Sequence, residues 1–293
     1  MNNATQLTAR GSVLDLSHPH VMGILNVTPD SFYDGGRHNT PGKAIDHAHA
    51  LIRDGATIID VGGESTRPGA AQVSVDEELH RVIPVVEALA RRFDVWLSVD
   101  TSKPEVITAS AQAGIHLIND IRSLSEPGAL EAAADSELPV CLMHMQGEPR
   151  TMQVAPHYDD IVVEVSSYLQ AQIERCMAAG IARDRLLLDP GFGFGKRLAH
   201  NYGLLARLEE LQAFGLPLLV GMSRKSMVGQ LLDVPPLERL HGSVACAVIA
   251  AMHGAHIVRV HDVRATVDAM RVVEATRAAM YRHPSESAAC LAS

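Results

Sequence analysis

The sequence predicts an α/β protein with one (β/α)8 fold, the TIM barrel, preceded by a short N-terminal extension. The chain has 293 residues, and such a barrel typically needs about 250. Short apolar segments recur eight times along it, and a segment of helical length follows each of them. An open doubly wound sheet would show fewer strands or an evident division into two halves. A single barrel therefore explains the pattern best.

The predicted strands are short segments with apolar side chains on both faces, as in parallel strands buried within a sheet. They span 21–26, 57–63, 96–100, 116–120, 140–144, 185–191, 217–223 and 256–262. The predicted helices span 42–54, 75–92, 104–113, 127–135, 158–179, 201–213, 236–253 and 264–281. Helix-start signals support these assignments, for example a proline at position 104, in an expected first turn.

The repeat gives the domain boundaries. Residues 21–282 form the predicted catalytic domain, and residues 1–20 form the extension, which we expect to cap the barrel floor. Residues 283–293 are small or polar, which predicts a flexible tail. No linker or low-complexity segment interrupts the repeat, so we expect one domain.

Composition excludes several classes of protein. The net charge of −9, from 25 basic and 34 acidic residues, argues against nucleic-acid binding, although local positive charge could still bind a small anion. The longest apolar runs, such as "VACAVIAAM", are too short to cross a membrane. The N-terminus lacks a secretory signal, and the four cysteines are scattered. We therefore expect a cytoplasmic protein with no membrane partner.

Polar residues stand where the predicted strands end, which is where barrel enzymes place their chemistry. A lone Asp at such a position is often only the N-cap of the next helix, and this is our interpretation of Asp120. Eight polar strand ends that converge on one mouth indicate a site instead. The strand-end groups are Asn26, Asp60, Asp100, Asn119 with Asp120, His144, Asp189, residues 223–225 ("SRK") and residues 259–262 ("RVHD").

These groups divide into two chemical types. Carboxylates and an amide suit a flat heterocycle with several N–H donors, and they are supplied by Asp100, Asn119 and Asp189. Cationic donors suit an anion, and they are supplied by Arg67, Lys225, Arg259 and His261. A local basic cluster in an acidic chain is informative, since it is not a consequence of overall charge.

The segment "DPGFGFGK" (189–196) looks like a phosphate-binding glycine loop but fits neither familiar template. A Walker A loop needs Gly and Ser or Thr where this chain has Pro190 and Arg197. A dinucleotide fingerprint needs Gly where it has Lys196. The loop follows a strand and carries little side-chain bulk, so a planar ligand could approach its backbone. With Phe194 as an aromatic wall, it is predicted to bind a ring.

Eight motifs occur in one order between residues 21 and 280. They are "GILNVTPDSFYDGG" (23–36), "DGATIIDVGGESTRPGA" (54–70), "SVDTSKPEV" (98–106), "GIHLINDI" (114–121), "MHMQGEPRTMQ" (143–153), "LLLDPGFGFGK" (186–196), "GMSRKSMVG" (221–229) and "GAHIVRVHDV" (254–263). The chain thereby resembles the dihydropteroate synthase family, enzymes of folate biosynthesis that sulfonamide drugs inhibit. The resemblance implies that p-aminobenzoate attacks 6-hydroxymethyl-7,8-dihydropterin diphosphate, giving 7,8-dihydropteroate and pyrophosphate.

The resemblance also implies a role for each matching residue. The pterin-binding residues would be Asp100, Asn119, Met143, Asp189, Gly221 and Lys225. The diphosphate-binding residues would be Asn26, Arg67, Arg259 and His261, with Asn26 also binding a Mg²⁺ cofactor. The p-aminobenzoate-binding residues would be Phe32, Thr66, Arg67, Pro68, Phe194, Ser223 and Lys225, with Asp34 in loop closure. The catalytic residues would be Asp100, Asp189, Lys225, Arg259 and His261.

The family resemblance further implies a homodimer that packs through helices near the carboxyl end. Three other functions remain as alternatives. A pterin-binding methyltransferase domain has a similar barrel but no pyrophosphate to release, so it would not need the cations. A catalytically silent paralogue would have lost one or more of Asn26, Thr66, Arg67, Lys225 and His261, all of which are present. A metal hydrolase is suggested by the 15 histidines, but "HAH" (47–49) directs its two rings to different helix faces.

Overall fold

The N-terminal extension forms a hairpin at the barrel floor. The structure is a computed structural model that describes residues 6–28, 40–65, 73–148 and 151–280. Its first strands, β1 (Gln6–Ala9) and β2 (Ser12–Asp15), pair antiparallel through a two-residue turn with positive φ at both positions, as in a type I′ hairpin. From the hairpin, Arg10 Nε donates to the carbonyl of Ile115 (2.8 Å), and Ser12 Oγ accepts from the indole of Trp96 (3.0 Å).

Eight further strands form one parallel sheet, which confirms the predicted (β/α)8 barrel. They are β3 (His20–Asn26), β4 (Ile58–Gly62), β5 (Trp96–Asp100), β6 (Leu117–Asp120), β7 (Val140–Met143), β8 (Leu186–Asp189), β9 (Leu219–Val220) and β10 (Ile257–Val260). They are hydrogen-bonded in the order β8-β7-β6-β5-β4-β3-β10-β9. A parallel bridge between Leu188 and Leu218 joins the first and last strands of this order, so the sheet closes on itself. Nearly every residue of these strands is buried, which explains their apolar runs.

The helices of the described ranges surround this sheet. They are α1 (Thr40–Arg53), α2 (Val75–Arg92), α3 (Pro104–Ala113), α4 (Ala129–Ser136), α5 (Ile161–Ala178), α6 (Leu198–Ala206), α7 (Ser226–Leu232), α8 (Leu240–Met252) and α9 (Val263–Met280). The predicted bounds of α2 and α3 are confirmed. The predicted helix at 201–213 is instead α6 followed by a 3₁₀ segment, Leu208–Phe214. The short helix α7 was not predicted, because a seven-residue segment shows too little periodicity.

Local capping explains why several helices begin where they do. The hydroxyl of Ser74 accepts from the Glu77 amide at the start of α2 (3.2 Å). The carboxylate of Asp160 accepts from the amides of Val162 and Val163, so α5 begins at Ile161 rather than at the predicted residue 158. Such caps satisfy amides that have no partner within the helix, and each is worth about 1 kcal/mol.

In the described part of the chain, no helix is long and apolar enough to cross a membrane. The cysteines of this part, Cys141, Cys176 and Cys246, are buried free thiols. The fourth, Cys290, lies outside the described residues, as does the predicted tail at 283–293.

Two histidines act as structural acceptors at the amino ends of the barrel strands. The Leu97 amide donates to His116 Nδ1 (3.2 Å), and the His116 amide donates back to the Leu97 carbonyl (2.7 Å). In the same way, the Leu218 amide donates to His256 Nδ1 (3.1 Å), and the His256 amide donates to the Leu218 carbonyl (2.8 Å). Each ring must therefore be unprotonated at Nδ1. Burial lowers the pKa of both rings, that of His256 to about 4.

We expect the substitution His256→Asn to flatten the acid side of the stability profile. An unfolded histidine titrates at about 6.5, so between pH 6.5 and 4 the unfolded chain binds more protons than the folded one. The resulting stability is complete above pH 6.5 and is lost as pH falls through 4. Its size is about 3 kcal/mol, while an asparagine oxygen keeps an acceptor without titrating.

Urea unfolding of both proteins at several pH values between 4.5 and about 7 tests this expectation. The exposed His241 on α8 offers a matched control, since its substitution by Asn should leave the pH dependence unchanged. Equal pH dependence in wild type and His256→Asn would show that this ring does not carry the effect.

Candidate active site

The carboxyl ends of neighbouring strands bring predicted ligand-binding residues to one level of the barrel. Asn26 pairs in register with Gly62, Gly62 with Asp100, and Asp100 with Asn119. A Cβ atom added at Gly62 would lie 3.5 Å from Asn26 Oδ1 and 3.6 Å from Asp100 Cβ. The missing side chain thus leaves space between the amide of Asn26 and the carboxylate of Asp100.

A network of ion pairs and hydrogen bonds links four strands at the centre of this site. The guanidinium of Arg259 donates from Nε to Asp60 Oδ2 (2.6 Å) and from Nη2 to Asp100 Oδ2 (2.8 Å). The amide of Asn119 donates to the same Asp60 oxygen (3.2 Å). The side chains of Asp60, Asp100 and Asn119 are all buried, and Asp60 is completely buried. Arg259, Asp100 and Asn119 are therefore held together, two of them as predicted binders of the pterin and one of the diphosphate.

Burial and neighbouring charges determine the protonation of this network. Burial raises the pKa of Asp100 to about 7, with Arg259 opposing the shift and the charge of Asp60 adding to it. For Arg259, the two carboxylates outweigh burial and raise the pKa, so the guanidinium stays charged. Burial also raises the pKa of Asp189, against the attraction of Lys225. Carboxyl groups that titrate near neutral pH are typical of functional sites.

The loop "DPGFGFGK" folds back against the segment that follows β7. The carboxylate of Asp189 accepts from the Gly191 amide (2.7 Å). Gly191 and Gly195 both have positive φ, and an added Cβ would lie 1.8 Å from the His144 carbonyl oxygen and 2.4 Å from that of Gln146, respectively. Close packing of two backbones therefore requires these glycines, a reason that the sequence did not show.

Lys196, at the end of this loop, is a buried structural lysine. Its Nζ lies 2.8 Å from His144 Nδ1, 2.9 Å from the Gly191 carbonyl and 3.1 Å from the Phe194 carbonyl. Burial lowers its pKa well below the usual value, and burial beside Lys196 lowers the pKa of His144 to about 2. These three contacts tie the amino group to both ends of the loop and to the segment after β7, so this lysine holds the loop together. The sequence did not indicate a role for Lys196.

Lys225 and Phe194 form one wall of the site. Lys225 Nζ donates to the Phe192 carbonyl (2.6 Å) and lies 4.6 Å from the centre of the Phe194 ring, within range for a cation–π interaction. Phe194 packs in a small apolar cluster with Met143 and Met152. Burial lowers the pKa of Lys225 to about 8. Met152 was not predicted, since nothing distinguishes it in the sequence from a core methionine.

A second ion pair fixes the segment "SRK" relative to β10. Arg224 adopts positive φ (57°) and makes a bidentate pair, through Nε and Nη2, with the carboxylate of Asp262. Ser223 Oγ lies 3.1 Å from His261 Nδ1 and accepts from the His261 amide at the same distance. Arg224 lies between Ser223 and Lys225 in the chain. Its left-handed backbone conformation lets the three side chains have different partners: Arg224 pairs with Asp262, Ser223 with His261, and Lys225 with the Phe192 carbonyl. The ion pair was not predicted, since its partners are 38 residues apart.

The remaining predicted residues fall into two groups: some lie in or beside the site, and the others lie outside the described part of the chain. Gly221 lies beside Arg259, since an added Cβ would be 3.7 Å from the arginine Cβ. Asp120 is structural, as expected, but it is not the predicted N-cap, since Gly128 precedes the first residue of α4. Its carboxylate instead holds a turn by accepting from the amides of Arg122 and Leu124 and from the hydroxyl of Ser102. The residues outside the described ranges are Phe32, Asp34, Thr66, Arg67 and Pro68.

Taken together, buried carboxylates, an amide, and flanking cations at the mouth of a barrel define a site for a polar ring that carries an anionic group. The family model described as "Pterin binding enzyme" matches residues 22–261, which is almost the whole barrel. The dihydropteroate synthase of Escherichia coli (strain K12) is 73% identical over 274 residues, 94% of this chain and 97% of the relative.

Solved structures agree. The Yersinia pestis dihydropteroate synthase in a sulfonamide drug complex superposes with a TM-score of 0.90 at 71% identity, covering 93% of this chain and 99% of that one. The Xanthomonas albilineans dihydropteroate synthase with 4-aminobenzoic acid gives 0.89 at 52% identity, covering 94% and 98%. The chain belongs to the dihydropteroate synthase family, the transferases of folate biosynthesis.

We expect Gly191→Ala to disrupt the site, because its Cβ would overlap the His144 carbonyl and its φ of +70° suits only glycine. Gly180→Ala is the matched control, since Gly180 also has positive φ (+90°) but nothing within 4 Å of an added Cβ. The control should lose about 1–2 kcal/mol of stability and keep its activity.

Thermal unfolding and turnover of the two variants separate backbone strain from steric overlap. Gly191→Ala should show a larger fall in Tm than Gly180→Ala and a loss of pterin affinity. Equal losses of stability, with activity kept by both, would mean that the loop can move away from His144.

Proposed function

We propose that the chain condenses 6-hydroxymethyl-7,8-dihydropterin diphosphate with p-aminobenzoate, releasing 7,8-dihydropteroate and pyrophosphate. The observation that carries the proposal is the arrangement of buried Asp100, Asn119 and Asp189 at strand ends, beside the cations Lys225 and Arg259. Hydrogen-bond acceptors beside cations match a ring with N–H groups on one edge and an anion on its side arm. Family membership supports the same reaction.

The pterin ring is bound through its N–H edge. An ionised carboxylate only accepts, and it accepts more strongly than a neutral carboxyl group, so ionised Asp100 and Asp189 accept from the ring, and Asn119 adds an amide. Met143 and Gly221 complete the pocket, the first through its apolar side chain and the second through the space that it leaves. Lys225 donates to the ring from the wall that it forms with Phe194. Desolvation of these groups strengthens each hydrogen bond and selects against rings that leave one unpaired.

The diphosphate is bound by Arg259, His261 and Asn26, together with Arg67 from outside the described residues. No described residue accepts a hydrogen bond from Nη1 of Arg259, which leaves that group for a phosphate oxygen.

The residues present fit a Mg²⁺ ion that is bound largely through the substrate. No group of three or more acidic, His or Cys side chains in the described residues could hold a metal, and the side chain of Asn26 has no hydrogen-bond partner among them. Mg²⁺ usually keeps several waters and takes few protein ligands besides phosphate oxygens, so one amide oxygen suffices. When bound, the ion would neutralise charge on the departing pyrophosphate.

The aminobenzoate subsite is formed by Phe194, Ser223 and Lys225, together with Phe32, Thr66, Arg67 and Pro68 from the undescribed segments. The hydroxyl of Ser223 and the ammonium of Lys225 suit a carboxylate, and Phe194 suits an aryl ring. Sulfonamides share the aryl amine and an acidic group, so we expect them to compete for this subsite. The relatives' complexes with a sulfonamide and with 4-aminobenzoic acid support this assignment.

The chemistry is a substitution at the methylene carbon of the pterin. An aryl amine is a weak nucleophile, so departure of pyrophosphate contributes more than a general base. The carbon–oxygen bond breaks with its electron pair on pyrophosphate, and Arg259 and His261 stabilise that charge. The electron-rich ring bears the developing positive charge, and Asp189 on its N–H edge spreads it. The amine then bonds to the carbon and loses a proton to solvent, in a step that we propose is largely dissociative.

We also propose a cytoplasmic homodimer. Buried free thiols at Cys141, Cys176 and Cys246 are consistent with a reducing compartment. Large apolar side chains are exposed on the last two helices, including Ile249 and Met252 on α8 and Val272 on α9. Burial of such side chains against a second copy would remove apolar surface from water.

The first test is pyrophosphate release by purified protein given the dihydropterin diphosphate, Mg²⁺ and p-aminobenzoate. We expect release to depend on aminobenzoate, to match the formation of dihydropteroate, and to fall when a sulfonamide is added. Tight pterin binding without release would identify a silent paralogue and overturn the proposed reaction.

The pH dependence of kcat/KM should be bell-shaped. The ionised form of Asp100 accepts most strongly from the ring, so activity rises through its pKa of about 7. The protonated form of Lys225 donates most strongly, so activity falls through its pKa of about 8. The variant Lys225→Arg stays charged and should lose the alkaline limb. If that limb remained unchanged in the variant, it would belong to another group or to a substrate.

A further inference from the structure

We propose that Asp60 is a positioning residue of the pterin site, which fixes the guanidinium of Arg259 and the amide of Asn119 in their ligand-binding orientations. The proposal rests on the pterin site proposed above and adds to it a residue that does not itself contact the ligand. Asp60 lies on β4, and its partners lie on β10 and β6, so one carboxylate orients side chains from two other strands.

The contacts show how the positions are set. A single oxygen, Asp60 Oδ2, accepts from Arg259 Nε at 2.6 Å and from Asn119 Nδ2 at 3.2 Å. With Nε held by Asp60 and Nη2 held by Asp100, two donors of the planar guanidinium are fixed, which restricts its rotation about the stem. Asn119, bound through its amide nitrogen, keeps its amide oxygen in one orientation.

A merely structural role does not account for this carboxylate. Its neighbours in β4 are apolar and buried, and Asp60 itself has no exposed surface. No described residue donates to its other oxygen, Oδ1. A buried carboxylate with an unused oxygen is less stabilising than a well-packed apolar side chain. Its presence is explained by the two ligand-facing groups that it holds.

Asp60 also influences the protonation of Asp100. The charge of Asp60 raises the pKa of Asp100, whereas Arg259 lowers it. Removing the charge of Asp60 would therefore lower the pKa of Asp100. The charged groups that act on Asp100 from the surrounding elements, in addition to Asp60, are Arg259, Asp120, Glu78 and Lys225.

The test is the nearly isosteric variant Asp60→Asn, which keeps an acceptor oxygen and removes the charge. We expect the affinity for the dihydropterin diphosphate, measured by calorimetry with Mg²⁺, to fall about 10- to 100-fold, as for loss of one or two hydrogen bonds to a charged group. The KM for the pterin should rise by a similar factor, while the KM for p-aminobenzoate stays within about threefold. A general loss of structure would not separate the two substrates in this way.

Asp120→Asn is the matched control. Asp120 is also a fully buried carboxylate at a strand end, but it holds a turn rather than a ligand-facing group. We expect this variant to unfold at a lower temperature and to bind the pterin within about threefold of wild type. Equal loss of pterin affinity in both variants would overturn the proposal.

If Asp60→Asn alone does not fold, the comparison of Arg259→Met with the double variant keeps the test informative, because the double variant removes both charges of the pair. If Asp60 acts through Arg259, adding Asp60→Asn to Arg259→Met should change pterin affinity by about threefold or less. A further loss of about tenfold or more in that background would overturn the proposal.

The pH profile gives an independent result. In wild type, pterin affinity should rise with pH through about 7, as Asp100 ionises. In Asp60→Asn the rise should move to lower pH, whereas titration of the substrate is the same in both proteins. An unchanged midpoint would overturn the proposal. Absence of pterin binding by wild type would instead overturn the proposed function, so the two failures are distinct.

Discussion

A guanidinium held between two carboxylates at the centre of a barrel restricts what every neighbouring group can do. Arg259 stays charged because Asp60 and Asp100 outweigh its burial, and the Asp60 oxygen that holds its Nε also holds the amide of Asn119. Charges in a poorly solvated space influence one another strongly. Burial, together with the charge of Asp60, therefore raises the pKa of Asp100 to about 7, against the attraction of Arg259. The same network thus supplies geometry, charge and a protonation state to the site.

The wall of the site depends on a buried lysine, Lys196, which supports the loop through hydrogen bonds to its own backbone. The loop lies so close to the segment after β7 that only glycine fits at positions 191 and 195. Such contact leaves backbone carbonyls away from water, and a buried carbonyl needs a donor. Lys196 supplies donors to two of them. The loop is then rigid enough for the Phe192 carbonyl to hold Lys225 and for Phe194 to face it.

Sequence analysis predicted the features that residues close together in the chain determine, and it missed those that depend on residues far apart. Bounds of α2 and α3 were predicted because their caps and prolines act within one turn. The break after α6 and the helix α7 were missed, since a short segment carries too few periodic positions. In the site, the strand-end residues were predicted from the architecture alone, because every parallel strand of a barrel ends at the same mouth. The role of Asp60 and the pairing of Arg224 with Asp262 were not, since their partners are distant in the chain.

The sequence by itself determined the barrel, the polar strand ends and, through eight ordered motifs, the family. These properties are local or repeated, so residue order is enough to show them. Tertiary structure alone decided which charges share a hydrogen bond, which glycines a neighbouring backbone requires, and why Lys196 is unavailable to a phosphate. Those outcomes depend on distances between strands and loops far apart in sequence. Burial then amplifies each contact, since charges that leave water interact with their neighbours far more strongly.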